Sequence, residues 1–219
     1  MTARSDLILP SRNEAAALPA VLASVPEMFD VIVVDNGSSD DTAAVAARLG
    51  AVVVDEPRAG YGAAVHAGVL AATHDVVAVM DADGTIRAAE LIGFVERVES
   101  GDVDMAVGRR RPMARGVWPW HARAGNALLA RWLRHRTGVP VRDLAPVRVC
   151  RREQLLSLDV RDRRFGYPVE LLVKAQRARW RIEERDIGYH PRAAGTSSKV
   201  SGSLTGTVRA LRDFAAVLR

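Results

Sequence analysis

Runs of apolar residues separated by short polar segments dominate the first hundred residues of this chain. The runs are rich in Val, Ile and Leu and show no polar alternation, which is typical of strands covered on both faces in a parallel sheet. The predicted strands are Leu7–Pro10, Val31–Val34, Ala51–Val54 and Val76–Met80, and the predicted helices between them are Ala15–Ser24, Asp41–Leu49 and Ala63–Ala72. This alternation predicts an α/β fold with a doubly wound, mostly parallel sheet and helices on both faces.

The pattern changes after residue 108. The segment from Arg109 to Arg123 contains two prolines, two tryptophans and five arginines, and it predicts an irregular connection. Beyond it we predict helices at Ala124–Arg136 and Val169–Ala178, strands at Val147–Arg151 and Arg181–Tyr189, a Gly- and Ser-rich segment at 192–203 and a C-terminal helix at 204–219. We expect one domain over 1–219, with a first half at 1–108 and a second half at 109–203. The C-terminal helix is amphipathic, which favours docking on the protein's own sheet over contact with a membrane.

The composition fits a single domain that buries its own core. The chain has 219 residues, of which 48% are hydrophobic. Cys150 is the only cysteine, so an intramolecular disulfide is excluded, and its apolar neighbours predict a buried thiol. No apolar window approaches the roughly 20 residues of a membrane-spanning helix. We therefore expect a cytoplasmic protein, at most peripheral at the inner face of the cell membrane, and leave its oligomeric state open.

The positive charge of the chain comes almost wholly from arginine. The net charge is +5, the sequence pI is near 10.1, and Lys174 and Lys199 are the only lysines. A nucleic-acid-binding module is one explanation, but arginines scattered through helices and acidic residues at strand ends argue against it. The cluster Arg109–Arg111, with Trp118 and Trp120 nearby, suits either contact with a lipid headgroup region or a solvated loop with its tryptophans packed on the core.

Acidic residues follow two of the predicted strands. Asp35 follows the second strand, and Asp81-Ala82-Asp83 follows the fourth. Ligands of open α/β sheets bind at the carboxyl ends of the strands, so we expect these aspartates to face one crevice. Two carboxylates spaced i and i+2 suit Mg²⁺ or Mn²⁺, with Asp81 and Asp83 as ligands. The alternative explanation for Asp81 and Asp83 is a solvated turn.

A glycine-containing segment, Gly60-Tyr61-Gly62, opens the third predicted helix, and Gly68 follows within it. Backbone amides at a helix N-terminus can bind a phosphate. However, the spacing matches neither a P-loop nor a dinucleotide fingerprint. We therefore favour close packing of the helix over phosphate binding.

An ordered series of motifs resembles the family 2 glycosyltransferases, in particular the group that contains dolichyl-phosphate mannose and glucose synthases. The motifs in this sequence are Pro10-Ser11-Arg12-Asn13-Glu14, Val33-Val34-Asp35-Asn36-Gly37-Ser38, Gly60-Tyr61-Gly62-Ala63-Ala64, Met80-Asp81-Ala82-Asp83-Gly84-Thr85, Val107-Gly108-Arg109, His121-Ala122-Arg123-Ala124-Gly125-Asn126, Asp143-Leu144-Ala145-Pro146-Val147-Arg148, Gly166-Tyr167-Pro168-Val169-Glu170 and Gly195-Thr196-Ser197-Ser198-Lys199-Val200-Ser201-Gly202. They cover nearly the whole chain in the family's order. One departure is Asn36, which stands where an aspartate is common.

The resemblance implies a GT-A fold and inverting transfer of a hexose from a UDP- or GDP-sugar, with a divalent metal on the Asp-x-Asp motif. It also implies that the first half binds the donor and the second half binds the acceptor. The implied donor-binding residues are Pro10, Arg12, Glu14, Asp35, Asp81, Ala82, Asp83, Arg192, Ser198 and Lys199. The implied acceptor-binding residues are Arg109 and Arg123. Glu170 is a further candidate on the acceptor side, unless it only forms an ion pair with an arginine, and the candidate catalytic residues are Asp83, Asp143 and Arg123.

Two acceptor classes stay open at this point. A polyprenyl phosphate is already anionic, so it needs arginines such as Arg109 and Arg123 to hold it and no general base. A small hydroxyl acceptor needs a carboxylate to take its proton, and Asp143 is the candidate, unless it only caps a turn. A sugar-phosphate nucleotidyltransferase is the rival enzyme class. It is disfavoured because Pro10–Glu14 stands where those enzymes generally carry a Gly-rich loop.

Overall fold

The computed structural model describes residues 4–144 and 146–192, which form one seven-stranded sheet with helices on both faces. The strands are β1 (Ser5–Ser11), β2 (Phe29–Asp35), β3 (Val52–Asp55), β4 (Val76–Val79), β5 (Met105–Pro112), β6 (Val147–Arg151) and β7 (Ile182–Tyr189). Their order is β3-β2-β1-β4-β6-β5-β7. Strand β6 is antiparallel to both neighbours, whereas the other paired strands are parallel.

Within the described residues, seven helices flank the sheet. They are α1 (Leu18–Ala23), α2 (Thr42–Arg48), α3 (Tyr61–Ala71), α4 (Ile92–Glu99), α5 (Trp120–Thr137), α6 (Arg152–Ser157) and α7 (Tyr167–Arg177), and a 3-10 turn at Ala88–Leu91 precedes α4. Alternate side chains of β1 enter different cores. Ile8 packs in the core shared with α3 and α7, whereas Leu7 and Leu9 pack in the core shared with α1 and α4. The predicted doubly wound sheet is therefore confirmed.

The four strands predicted in the first half agree with β1 to β4 to within two residues at each end, whereas β5, which begins at Met105, was not predicted. Helix α1 is shorter than predicted, because residues 15–17 form a turn in which the Ala15 amide donates to Asp40 Oδ2 at 3.2 Å. Helix α4 was not predicted at all. Cys150 is buried in β6, as predicted, and burial raises the pKa of its thiol to about 12.

The prediction of an irregular segment from Arg109 to Arg123 was wrong at both of its ends. Strand β5 continues to Pro112, because Arg109–Pro112 pairs with Asp186–Tyr189 of β7. Helix α5 begins at Trp120 rather than at Ala124. Proline at either end of a segment does not exclude regular structure, since Pro112 is the last residue of its strand and Pro119 directly precedes a helix.

The C-terminal helix predicted at 204–219 lies outside the described residues. Among residues 4–144 and 146–192, no helix combines the length and the apolar character needed to cross a bilayer.

Candidate active site

The candidate site lies where β1, β2 and β4 end. These strands are parallel, so their carboxyl ends share one edge of the sheet. Asp35 is the last residue of β2, and Asp81 lies two residues beyond β4. The chain connects onward in opposite directions from β1 and β4, which makes this edge the position where open α/β sheets bind ligands.

The aspartates of the Asp-x-Asp motif lie in the turn after β4 rather than in the strand itself. Asp83 is buried, and its Oδ1 accepts hydrogen bonds from the backbone amide and the hydroxyl of Thr85, at 2.9 and 2.6 Å. Burial, and then the charge of Asp83, raise the pKa of Asp81 to about 7. Ala82 is buried as well, so this motif is not a solvated turn.

Three arginines surround this carboxylate pair. Arg192 places its Nη2 2.5 Å from Asp83 Oδ2 and its Nη1 4.0 Å from Glu14 Oε1. The charges of Arg110, Arg148 and Arg192 oppose the rise in the pKa of Asp81 but do not cancel it. The structure therefore brings together Glu14, Asp83 and Arg192, which the sequence assigned to the donor.

Arg148 and Tyr61 are site residues to which sequence reasoning gave no role. Arg148 is buried in β6, and its Nη1 donates to the Tyr61 hydroxyl at 3.2 Å. Burial raises the pKa of Tyr61. An arginine inside the apolar strand 147–151 is a signal that was available in the sequence, since a buried charge requires partners.

Short polar side chains hold the loop after β1 against the loop after β2. The Asn13 amide donates to Ser38 Oγ at 2.9 Å, and the Ser39 amide donates to Asn13 Oδ1 at 2.7 Å. Asp35 Oδ1 accepts from the Ser38 amide at 3.0 Å. This pairing fixes the loop of Pro10, Arg12 and Glu14, which were predicted to line the nucleoside pocket, beside Asp35.

Asn36 is a structural clamp. Its side-chain amide donates to the carbonyls of Glu56 and Arg58 at 2.9 and 2.8 Å, and its Oδ1 accepts from the Gly60 amide at 2.8 Å. A carboxylate at this position lacks the two donors. The departure from aspartate therefore fixes the connection between β3 and α3.

The glycines of the 60–68 segment serve close packing, as predicted. A Cβ on Gly62 meets the Asp162 carbonyl at 2.6 Å and Tyr167 Cβ at 2.7 Å, and a Cβ on Gly68 meets Ile8 Cγ2 at 2.4 Å. The amides of the first turn are also occupied, since those of Gly62 and Ala63 donate to carbonyls of the 163–164 loop. The N-terminus of α3 thus packs against protein backbone.

Asp143 and Arg110 form a buried ion pair in the second half. Arg110 Nε and Nη2 donate to Asp143 Oδ2 and Oδ1 at 2.9 and 2.6 Å, and the Arg110 backbone amide donates to Oδ2 at 2.8 Å. The guanidinium also lies over the Trp118 ring, 4.0 Å from its centroid. Both oxygens of Asp143, the candidate general base, are thereby engaged.

The predicted acceptor arginines lie in different surroundings. Arg109 pairs with Asp186 of the adjacent strand at 2.5 Å. Arg123 is exposed on α5 and lines an open groove of about 400 Å³ that also includes Met113, Arg115 and Trp118.

Glu170 contacts the loop that precedes its helix. Its two oxygens accept from the amides of Arg161 and Asp162 at 3.0 and 2.6 Å, and Lys174 Nζ lies 3.0 Å away. These contacts show Glu170 holding that loop, whereas its role towards an acceptor stays a prediction. Ser198 and Lys199 lie outside the described residues.

Comparisons with known proteins show the family to which this chain belongs. Residues 6–153 match the family described as Glycosyl transferase family 2. The chain is 56% identical over 208 residues to an uncharacterized glycosyltransferase of Mycobacterium tuberculosis, covering 95% of this chain and 94% of that protein. It is 33% identical over 195 residues to a dolichyl-phosphate hexose transferase of Haloferax volcanii, covering 87% of this chain and 84% of that protein.

The fold is shared with a solved enzyme. The structure of glucosyl-3-phosphoglycerate synthase from Mycobacterium tuberculosis, in complex with Mn²⁺, uridine diphosphate and glucosyl-3-phosphoglycerate, superposes with a TM-score of 0.77. The identity is 26%, and the alignment covers 99% of this chain and 78% of that one. Fold and site therefore define a glycosyltransferase of the GT-A type, which excludes the nucleotidyltransferase alternative. The chain belongs to glycosyl transferase family 2 and is a hexosyltransferase.

Proposed function

We propose that this enzyme is an inverting, metal-dependent hexosyltransferase that moves a hexose from a UDP- or GDP-sugar to polyprenyl phosphate. The observation that carries the proposal is the pair of Asp81 and the buried Asp83 just beyond β4, on which the charges of Arg110, Arg148 and Arg192 act. Such a site holds a cation and a diphosphate together, because the carboxylates suit the cation and the guanidinium groups suit the phosphates.

The residues present fit a divalent cation. Burial and the charge of Asp83 both disfavour the ionised form of Asp81, and a divalent cation bound by the two carboxylates would favour that form. Asp81 and Asp83 would hold Mg²⁺ or Mn²⁺, which would neutralise the diphosphate as it leaves. The M. tuberculosis synthase, which has the same fold, binds Mn²⁺ and uridine diphosphate.

The contacts of Arg192 support a role for this residue in closing the donor site. Its guanidinium pairs with Asp83 and lies near Glu14, so it links the motif after β4 to the loop after β1. When a donor diphosphate binds, the same guanidinium is in position to pair with the diphosphate instead of with Asp83. We assign Pro10, Arg12, Glu14 and Asp35 to the nucleoside and Arg192 to the diphosphate.

The surroundings of Asp143 favour a phosphate acceptor over a hydroxyl acceptor. A general base needs an oxygen within reach of the acceptor proton, but both oxygens of Asp143 already accept hydrogen bonds from Arg110. An acceptor phosphate is ionised and needs no base. It needs cations, and Arg123 lies exposed in the groove next to Trp118, which stacks on Arg110. The relative from Haloferax volcanii is a dolichyl-phosphate hexose transferase.

A second candidate acceptor is a small phosphorylated molecule such as 3-phosphoglycerate. It is favoured by the M. tuberculosis synthase, which binds glucosyl-3-phosphoglycerate. Both acceptors present a phosphate, so the arginines of the second half suit either one. They differ in the attacking oxygen, which is already anionic in the lipid phosphate and is a protonated hydroxyl in the small acceptor.

A thermal-shift screen of UDP- and GDP-sugars with and without Mn²⁺ tests the donor and metal. We expect one nucleotide-sugar to raise Tm only when the metal is present. If no nucleotide stabilises the protein in a metal-dependent way, the proposed donor site is wrong. Transfer of labelled hexose from that donor to polyprenyl phosphate or to 3-phosphoglycerate then identifies the acceptor.

Two substitutions separate the acceptor classes further. Under lipid-phosphate transfer, Arg123→Ala loses transfer but keeps the donor thermal shift, whereas exposed Arg177→Ala on α7 keeps both. Asp143→Asn lowers stability, yet the folded fraction retains transfer. Complete loss of transfer in Asp143→Asn, with fold and donor affinity intact, would instead indicate a hydroxyl acceptor.

A further inference from the structure

Helix α5 carries an exposed apolar ridge along its outer side. Only two of its 18 residues are buried. Trp120, Ala124, Leu128 and Trp132 recur every four residues and therefore lie one above the other on the helix surface. The exposed fractions of Trp120, Leu128 and Trp132 are 80%, 69% and 38%. The ridge extends over about 18 Å of helix axis.

The ridge lies in a strongly basic part of the chain. Residues 109–142 include nine arginines and two histidines but no aspartate or glutamate. The other 185 residues hold 22 Lys and Arg against 26 Asp and Glu, so the positive charge of the chain is concentrated here. Arg131 and Arg136 flank the ridge, and the Arg136 guanidinium lies 5.8 Å from the Trp132 ring centroid. Apolar side chains flanked by arginines are typical of helices that lie in the interface of an anionic bilayer.

The ridge continues into the proposed acceptor groove. Trp120 begins the ridge, and Arg123, one turn further along α5, lines the groove together with Trp118. Trp118 in turn stacks on Arg110, whose charge acts on Asp81. A lipid surface lying along the ridge is therefore adjacent to the groove in which we place the acceptor phosphate.

We infer that helix α5 docks on an anionic lipid surface, with Trp120, Leu128 and Trp132 in the headgroup region and the flanking arginines on lipid phosphates. The inference rests on the proposed function, because an enzyme with a lipid acceptor must reach that acceptor at a membrane. Charge complementarity selects this occupant. A second copy of the chain would set one arginine-rich face against another, so like charges would repel it. The C-terminal residues 193–219 hold four Lys and Arg against one Asp, so the basic surface would repel this segment as well.

Co-sedimentation of the full chain with vesicles tests the inference. Vesicles of phosphatidylcholine mixed with phosphatidylglycerol are compared with vesicles of phosphatidylcholine alone. The ridge variant is Trp120→Ser with Leu128→Ser and Trp132→Ser. The matched control is Leu49→Ser with Val52→Ser and Leu70→Ser, whose side chains are also about half exposed but lie in the first half. Thermal melting checks that both variants fold.

We expect the unsubstituted chain and the control to bind the anionic vesicles, with weaker binding as salt rises. The ridge variant should lose at least about tenfold in affinity. No binding of the unsubstituted chain, or equal binding of the ridge variant, would overturn the inference. So would a homodimer that the ridge substitutions dissociate, because a second copy would then cover the ridge.

Vesicle binding is measured without donor or acceptor, so it is independent of the proposed reaction. The metal-dependent thermal shift with nucleotide-sugars should be the same in the ridge variant and the unsubstituted chain. Failure of that shift in both proteins contradicts the proposed function, whereas failure of vesicle binding alone contradicts only the docking surface.

Discussion

The two halves of this transferase hold their functional side chains by different means. In the first half, the aspartates at the strand ends accept hydrogen bonds from neighbours close in sequence, Asp83 from Thr85 and Asp35 from Ser38, although Asp83 also pairs with the distant Arg192. In the second half, arginines are fixed by carboxylates far away along the chain. Arg110 pairs with Asp143, 33 residues on, and Arg109 with Asp186, 77 residues on. Side chains held by local contacts can be recognised from a short sequence motif. Side chains held by distant partners reach their positions only when the complete sheet has formed.

The largest expected effect is at the carboxylate pair of the first half. Asp83→Asn keeps an oxygen to accept from Thr85 but removes the negative charge that a cation needs. We expect transfer to fall by at least about a hundredfold, with little change in stability. Asp55→Asn, at the end of edge strand β3, is the control and should keep full activity. Measured rates that match for both variants would contradict a metal site on the Asp-x-Asp motif.

Neighbouring arginines of β5 sharpen the comparison within the second half. Arg110→Ala leaves Asp143 as a buried carboxylate without its partner, so we expect a loss of about 3–5 kcal/mol in the free energy of unfolding. Arg111→Ala removes an exposed pair with Asp186 and should cost at most about 1 kcal/mol. Urea denaturation measures both values. Similar losses for the two variants would show that Asp143 is not stabilised mainly by Arg110.

Glycines in the two halves should respond oppositely to alanine. Gly62→Ala in α3 places a Cβ against fixed backbone, so we expect a loss of about 1–3 kcal/mol. Gly125→Ala in α5 meets nothing within 4 Å and should stabilise the protein by about 0.5–1 kcal/mol. Chemical denaturation measures both. Stabilisation by Gly62→Ala would mean that the 162–164 loop yields easily to the added methyl group.

The smallest expected effect concerns Glu170 and the pH. Burial alone raises the pKa of Glu170, but hydrogen bonds from the Arg161 and Asp162 amides outweigh it, and the net pKa lies below the usual 4.5. A lowered carboxyl pKa stabilises the fold above 4.5, and this contribution is lost as the pH falls through the lowered value. Glu170→Gln should therefore cost about 1 kcal/mol at neutral pH, and its difference from the unsubstituted chain should shrink in acid.

Urea denaturation across the acid range measures this difference. A gap between Glu170→Gln and the unsubstituted chain that stays constant with pH would contradict the ionised clamp. An acceptor affinity that falls while stability stays unchanged would support the predicted role of Glu170 at the acceptor instead.

The accuracy of the sequence predictions follows the same division between the halves. Strands β1 to β4 were predicted to within two residues, because unbroken apolar runs are typical of strands covered on both faces. The segment from Arg109 to Arg123 was wrongly predicted to be irregular throughout, because its strand is completed by pairing with β7. Asp143 was predicted as a possible base, but its partner Arg110 could not be identified from the pattern, since a buried charge indicates a need for a partner and not which residue supplies it.

The sequence by itself determined the doubly wound sheet, the family and the Asp-x-Asp motif at the end of a buried strand. Apolar periodicity and short motifs extend over only a few residues, so they can be recognised from the sequence without a structure. Only the tertiary structure placed Arg148 and Tyr61 together at the site, engaged both oxygens of Asp143 and left the outer face of α5 exposed. Contacts between distant strands and the exposure of a helix face are set by how the whole chain packs.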